Sequence, residues 1–358
     1  MFLIKSKINN SLYFFFLLLI LIFIKFSTIK VFADNYTVKN INVKEKYDVN
    51  FDKDKAINKG FKKAFKAIIY KIVENKDKKL FKDIPKNKIS SLIDNFSITN
   101  EKFVNNNYEV DFEVKFDKKK LLSFIRSKNV ISSVPEDIEV LFIPILIDTQ
   151  SNELKYFNQN YFYNNWNNKK KKYFLINYNL PDENIENFRL FQKIKNNLEN
   201  DDLSEITDKY NFKNIFIVIF YKNRKNLKIF SKISFSNLDF NFNINHNIID
   251  YDDNDLLDGI IVSLKNIYED KWKLINKINT SITIPIKISV KNKNYMITDK
   301  LENLLDKSDF VYEYEIEKIN NNEIIYRIIY NSDPDKFINN LKINGINVNS
   351  SSQVWKIK

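Results

Sequence analysis

Two stretches of different hydrophobic period constrain this chain most. In residues 108–116, Tyr-Glu-Val-Asp-Phe-Glu-Val-Lys-Phe, every even position is apolar and every odd one charged, the period of a strand with one buried face. Residues 138–147 are almost continuously apolar, the mark of a strand covered on both faces. The chain therefore passes between them from one module into the core of the next. Burying each of the five inward residues of the first strand contributes roughly 1.5 to 3 kcal/mol, against roughly 1 to 2 kcal/mol to order each backbone unit. Such a strand requires a sheet and a covering helix. Asp117 stands as an N-cap, and Leu121, Leu122, Phe124 and Ile125 give the following segment a helical apolar face.

Around these stretches the chain reads as three small mixed modules, an α+β or α/β class. The first spans 34–132 with the order β-α-α-β-β-α. A strand at 36–43 precedes a helix at about 53–75 capped by Asp52, with a stripe of Ile57, Phe61, Phe65, Ile68 and Ile72. Ala56, Gly60, Ala64 and Ala67 flank that stripe and predict close approach to a sheet. Pro85 opens a shorter helix, and a strand at 96–104 turns through 105–107 into the alternating strand.

The second module, 138–279, combines buried strands with an antiparallel meander. Pro144 predicts an edge or a bulge. Strands follow at 173–180 and 215–220, with a short helix at 201–210 between them. Alternating strands cover 227–236 and 238–246, the latter with Leu238, Phe240, Phe242 and Ile244 inward, and a helix covers 255–272. The third module, 281–358, opens with Ile282, Ile284, Ile286, Ile288 and Val290 in unbroken alternation. A helix at 296–305 and a hairpin of 310–319 with 324–330 come next. Ser332 or Asp333 caps a last helix with Pro334 in its first turn and Gly345 at its end. Either 346–348 or 354–357 returns as the final strand, completing a ferredoxin-like β-α-β-β-α-β order.

Composition narrows function mainly by exclusion. Cysteine is absent from the 358 residues, which removes disulfides, thiolate metal sites and cysteine nucleophiles. Lys5 and Lys7 precede an apolar run at 12–24, and Val31-Phe32-Ala33 forms a cleavage site, so residues 1–33 read as a secretory signal of a periplasmic protein. The alternative is an uncleaved membrane anchor with Lys25 snorkelling, although thirteen helical residues rise only about 20 Å against a hydrocarbon core of about 30 Å. Removing the leader takes away four lysines and no acid, lowering the formal charge from +12 to +8. Only Arg126, Arg189, Arg224 and Arg327 are arginines, and the Lys, Asn, Ile and Phe abundance is what AT-rich coding produces. The charge reads as solvated surface, with no nucleic-acid partner, since phosphate and base recognition select arginine.

Gly60, Gly259 and Gly345 are the only glycines, so no phosphate-binding loop, dinucleotide fingerprint or nucleophile elbow exists. His246 alone can build neither a zinc site nor a triad and reads as a strand-end residue. Asp250, Asp252, Asp253, Asp255 and Asp258 fail the calcium-loop pattern, with Asp255 at its glycine position and Ile261 at its glutamate position. They read instead as acids satisfying the start of a helix. No catalytic residue, metal ligand or cofactor is predicted. One segment is a candidate for binding: Tyr161, Tyr163 and Trp166, followed by Lys169, Lys170, Lys171 and Lys172. Aromatics beside a lysine run can rest on a membrane surface or stack on a ligand; the other reading is a loop that packs its rings on its own domain.

Several of these features together resemble a known family. Ala56, Gly60, Phe61 and Ala64, the run 108–117 with Leu121, Leu122 and Phe124, the buried run 138–147, Trp166, Pro181-Asp182 and Lys271-Trp272 are similar to the alphaproteobacterial secreted proteins of the domain-of-unknown-function family numbered two thousand and sixty-six. The resemblance implies an exported envelope protein and supplies no activity or catalytic residue. Three functions remain open at this point. The first is a non-enzymatic periplasmic assembly or protein-interaction module with envelope proteins as partners, holding extended strands by β-augmentation. The second is a ligand, glycan or anionic-lipid binding protein touching the membrane or cell wall, and the third a carboxylate-dependent hydrolase. Oligomeric state is not legible.

Overall fold

Asp117 caps a helix, as its position predicts, and the strand ahead of it buries every even residue. These elements belong to a computed structural model that describes residues 35–168, 173–194, 198–199, 204–236, 238–247, 250–279 and 285–357. The leader at 1–33 with Lys5 and Lys7, Lys169 to Lys172, the first residues of the helix expected at 201–210, and Ile282 and Ile284 lie outside the described residues. Residues from Tyr36 onward form one compact unit containing three sheets. Helix and strand are mixed throughout it. No helix among the described residues is long and apolar enough to cross a membrane.

In the first module, β1 (Thr37–Lys46), β2 (Ile93–Val104) and β3 (Asn107–Phe116) form an antiparallel sheet of order β1-β3-β2. Helix α1 (Lys53–Ile72) covers one face, followed by a short α2 (Lys86–Ser91) and α3 (Lys118–Arg126). Asp52 caps α1 by accepting from the amides of Asp54 and Lys55 at 2.8 and 3.3 Å. The small-residue flank does what its composition predicts: a Cβ at Gly60 would stand 2.7 Å from the Phe112 ring, so only glycine admits this approach. Asn105 and Asn106 both take positive φ, closing β2 onto β3 in a two-residue turn.

The second module has a six-stranded sheet built from β4 (Ile138–Asp148), β5 (Glu153–Lys155), β6 (Ile176–Asn179), β7 (Ile215–Asn223), β8 (Asn226–Phe235) and β9 (Leu238–Asn247). Its helices are α4 (Tyr161–Asn165), α5 (Ile185–Ile194), α6 (Ser204–Thr207) and α7 (Asn254–Ile275). Alternate residues of β4 feed two cores. Val140, Phe142 and Leu146 face Trp166 and α7, while Leu141, Ile143, Ile145 and Ile147 face Phe191 of α5 and Ile206 of α6. Pro144 sits inside this central strand, not on an edge strand. It falls between the residues paired with β6 and those paired with β5, and its carbonyl accepts from Asn160 Nδ2 at 3.0 Å. The missing amide therefore removes no ladder bond on that flank.

Two elements of this module depart from expectation. The stretch at 156–168 is a succession of short helices, because Asn160 caps α4 by accepting from the amides of Phe162 and Tyr163. Helix α5 was not predicted at all; Asn184 receives the Asn187 amide at 2.8 Å and starts it after Pro181.

In the third module, β10 (Ile286–Lys291), α8 (Tyr295–Lys307), β11 (Val311–Ile319), β12 (Glu323–Tyr330) and α9 (Pro334–Ile343) keep the expected order. Asp333, not Ser332, is the cap, and Gly345 turns the chain at φ +74°. The return is made by two strands, β13 (Val348–Asn349) and β14 (Val354–Ile357), in a sheet of order β11-β12-β10-β14-β13. Because β14 runs parallel to β10, the last step differs from a single antiparallel return. Trp355 of β14 packs on the core of this module, its ring tilted to that of Phe337 of α9 at 6.3 Å, and Val348 of β13 packs beside it.

The segments between modules are hydrogen-bonded to both sides. Ser133 N donates to Ile72 O, Val134 N to Asn276 O, Ile278 N to Ser132 O and Asn279 N to Asn331 O, each within 2.9 Å. Four backbone bonds of this kind make the junctions extensions of the secondary structure and not free linkers.

Candidate functional site

The aromatics singled out in the sequence are engaged within the second module. Trp166 is completely buried and stacks on Phe142 with ring centroids 3.9 Å apart. Tyr161 Oη lies 3.0 Å from Asp258 Oδ1 and 3.2 Å from Asn254 O, and burial with the Asp258 charge pushes its pKa up to about 12. Tyr163 donates to Pro181 O at 2.7 Å and is pushed up to about 12, chiefly by burial. The ring of Trp166 is out of reach of a ligand, and the two tyrosine hydroxyls serve internal acceptors. The reading of rings packed on their own domain holds for these three; Lys169, Lys170, Lys171 and Lys172 lie outside the described residues.

Of the aspartates around the start of α7, Asp253 caps the helix and Asp255 lies in its first turn. Asp253 accepts from Leu256 N at 3.0 Å, Asp250 from Asp252 N at 2.9 Å, and Asp258 is turned to Tyr161. Among the described residues no group of three or more His, Asp or Glu side chains is placed to hold a metal ion. His246 pairs in register with Leu227 at the end of β9, where burial lowers its pKa and favours the neutral ring.

Helix α7 carries an ionic stripe that the sequence reading missed. Lys265, Glu269 and Lys273 lie on successive turns and are 2%, 1% and 2% exposed. Lys265 Nζ donates to Trp166 O at 2.7 Å. Glu269 Oε1 accepts from the amides of Leu175 and Ile176, both at 2.9 Å, and Lys273 Nζ donates to Tyr70 O at 2.6 Å and Val73 O at 3.0 Å. The signal was available: Lys265 is four residues after Ile261 and three before Tyr268, inside the apolar stripe.

Burial pushes the Glu269 carboxyl up from 4.5 to about 7, with Lys273 the largest opposing influence. The folded chain then holds a proton that the unfolded chain has lost between about pH 4.5 and 7, so stability falls as pH rises through that window. The full effect is on the order of 3 kcal/mol. Glu269→Gln, which keeps an acceptor for both amides, is expected to abolish that slope. Urea unfolding of both proteins at pH 5 and pH 8 checks it, and parallel pH dependences in the two would refute the assignment.

Two surface features remain. The chain leaves β4 toward β5 and β6 and leaves β7 toward β8, and where these parallel strands end side by side there is an open cleft of about 450 Å³. Thr149, Glu199, Tyr221, Asn223, Asn226 and Lys228 line it, at the kind of topological divergence where α/β sheets bind ligands.

The other feature is the edge of the same sheet. Strand β9 pairs only with β8, through an unbroken ten-residue register, and among the described residues nothing hydrogen-bonds to its outer side. Phe240, Phe242 and Ile244 turn toward α7 and are half-buried, while Asn241, Asn243 and Asn245 stand exposed on the other face. Asp239 is its only acidic residue, and its one basic residue is His246, which burial holds toward the neutral form.

Every other edge carries a device that discourages strand addition. Strand β1 is bulged between Val38 and Ile41 and receives Lys63 Nζ on Asn42 O. Strands β2 and β11 are each bulged twice and charged. Strands β5, β6 and β13 are only 3, 4 and 2 residues long. No family model matches the sequence, and no curated protein matches it.

Proposed function

We propose that this chain is an exported envelope protein that acts without catalysis, binding other polypeptides by strand addition at β9. The observation that carries the reading is the contrast among sheet edges: β9 is long, regular and almost uncharged where every other edge is bulged, charged or short. An added strand would take up its outward amides and carbonyls, and the half-buried Phe240 and Phe242 would gain apolar cover. The apolar run and cleavage site within residues 1–33 support export to the periplasm. The resemblance to secreted proteins of unknown function agrees with that location. A second reading, a binding protein for a small polar ligand, is favoured by the cleft at the ends of β4 and β7.

A photo-crosslinking residue placed at Asn243 or at Arg224, beside the cleft, separates the two readings in intact cells. Discrete polypeptide adducts from Asn243 and none from Arg224 are expected, on a protein whose own amino terminus is Asp34. Adducts confined to Arg224, or none at either position, would count against strand addition.

A further inference from the structure

We infer that the occupant of this edge is a second copy of the chain, with β9 pairing antiparallel to β9 about a two-fold axis at Phe242. The inference rests on the strand-addition reading above and supplies its partner. Directly opposed residues of an antiparallel pair share one face of the sheet. An axis at Phe242 therefore sets Asn241 opposite Asn243 of the partner subunit, Phe240 opposite Ile244 of the partner subunit and Asp239 opposite Asn245 of the partner subunit. Amide meets amide, apolar meets apolar, and no like charges oppose one another. Each asparagine side chain offers both donors and an acceptor, so the amide row is complementary to itself.

A slip of one residue would set asparagine against phenylalanine throughout and turn one strand's apolar side away from α7. The alternation thus excludes every odd-numbered slip and keeps the two copies' apolar sides on one face. Pairing about a two-fold axis is closed: it consumes β9 in both copies. The edges left over are the short or bulged ones, which explains why β9 alone among the described strands lacks protection. Lys271, whose Nζ lies 5.0 Å from the Phe240 ring and 5.9 Å from that of Phe242, is on α7 and covers the inner face of the strand.

The test is sedimentation equilibrium of the purified chain, which should show a dimer at micromolar concentrations. Asn241→Lys/Asn243→Lys puts lysines opposite one another across the axis, and Asn241→Asp/Asn243→Asp does the same with carboxylates. Each variant alone should dissociate about tenfold more readily or worse, and an equimolar mixture should recover the dimer. Recovery on mixing also demonstrates that both variants are folded. Phe242→Cys gives an independent readout, because the chain has no other thiol: mild oxidation should yield a covalent dimer, whereas Asn247→Cys should not.

A monomeric wild type, dimers that persist in either variant, or a mixture that stays monomeric would overturn self-pairing. If the wild type is monomeric while Asn243 still crosslinks to other envelope proteins, strand addition survives and only the identity of the partner falls. A monomer with no crosslinks removes both.

Discussion

Phe112→Asp is expected to unfold the first module. The ring is fully buried between α1 and the sheet, with Gly60 pressed against it, so the site has no room to open toward water. Truncating a buried phenylalanine alone costs about 3 to 5 kcal/mol. A carboxylate in the same place adds the desolvation of a charge, and together these rival the 5 to 15 kcal/mol that typically holds a whole domain. Hydrogen exchange resolves the outcome by region. Amides of β1 and β3 should lose protection in the variant while those of β4 and β7 keep theirs, and protected β3 amides would show that Phe112 is not the centre of this core.

That prediction draws on a part of the fold that is legible in the sequence, and the reason is local. Where one face of an element is buried and the other solvated, the period shows: β3 alternates without exception, α1 repeats at three and four residues, and Phe240, Phe242 and Ile244 of β9 turn inward as their alternation predicts, although Leu238 at the strand's start is exposed. Caps were equally visible, because Asp52, Asp117 and Asp333 satisfy amides within their own first turn. What stayed hidden depends on distant partners. Helix α5 takes its place from a core that Phe191 shares with β4 and β7. The final strand could be narrowed to two candidates: 354–357 is β14, which pairs with β10, and 346–348 meets the short β13 only at Val348, a choice set by pairing across the sheet and not by local pattern.

The candidate site divides the same way. The inner and outer faces of β9 could be read from alternation, but its significance could not, because an edge is defined by the absence of a neighbour in the described sheet and by what the competing edges carry. Tyr161 and Tyr163 were conspicuous in sequence for the same composition that a binding surface would have, yet their hydroxyls meet Asp258 and Pro181, residues 97 and 18 positions away.

Lys273→Ala is expected to destabilise the chain by about 3 to 5 kcal/mol, the range for breaking a buried ionic group away from its partners. The reason lies at the carboxyl end of α1. A helix end leaves carbonyls without intrahelical donors, and here the second module and the junction before it supply them. Lys273 Nζ serves Tyr70 O and Val73 O, while Ser133 N serves Ile72 O. Its charge also complements the negative end of the helix. Removing the ammonium strands both carbonyls and deprives Glu269 of the cation that most favours its charged form, one turn away on α7. Urea unfolding at pH 7 measures the loss, and a change below about 1 kcal/mol would mean that water replaces the ammonium at no cost. Asn75 provides a second tie in the same place, its amide donating to Asp270 Oδ1 at 2.9 Å and its side chain to Asn266 O at 2.9 Å. Combining Lys273→Ala with Asp270→Ala should therefore cost less than the two single losses added together, because both ties hold one joint and the second has little left to break once the first has opened.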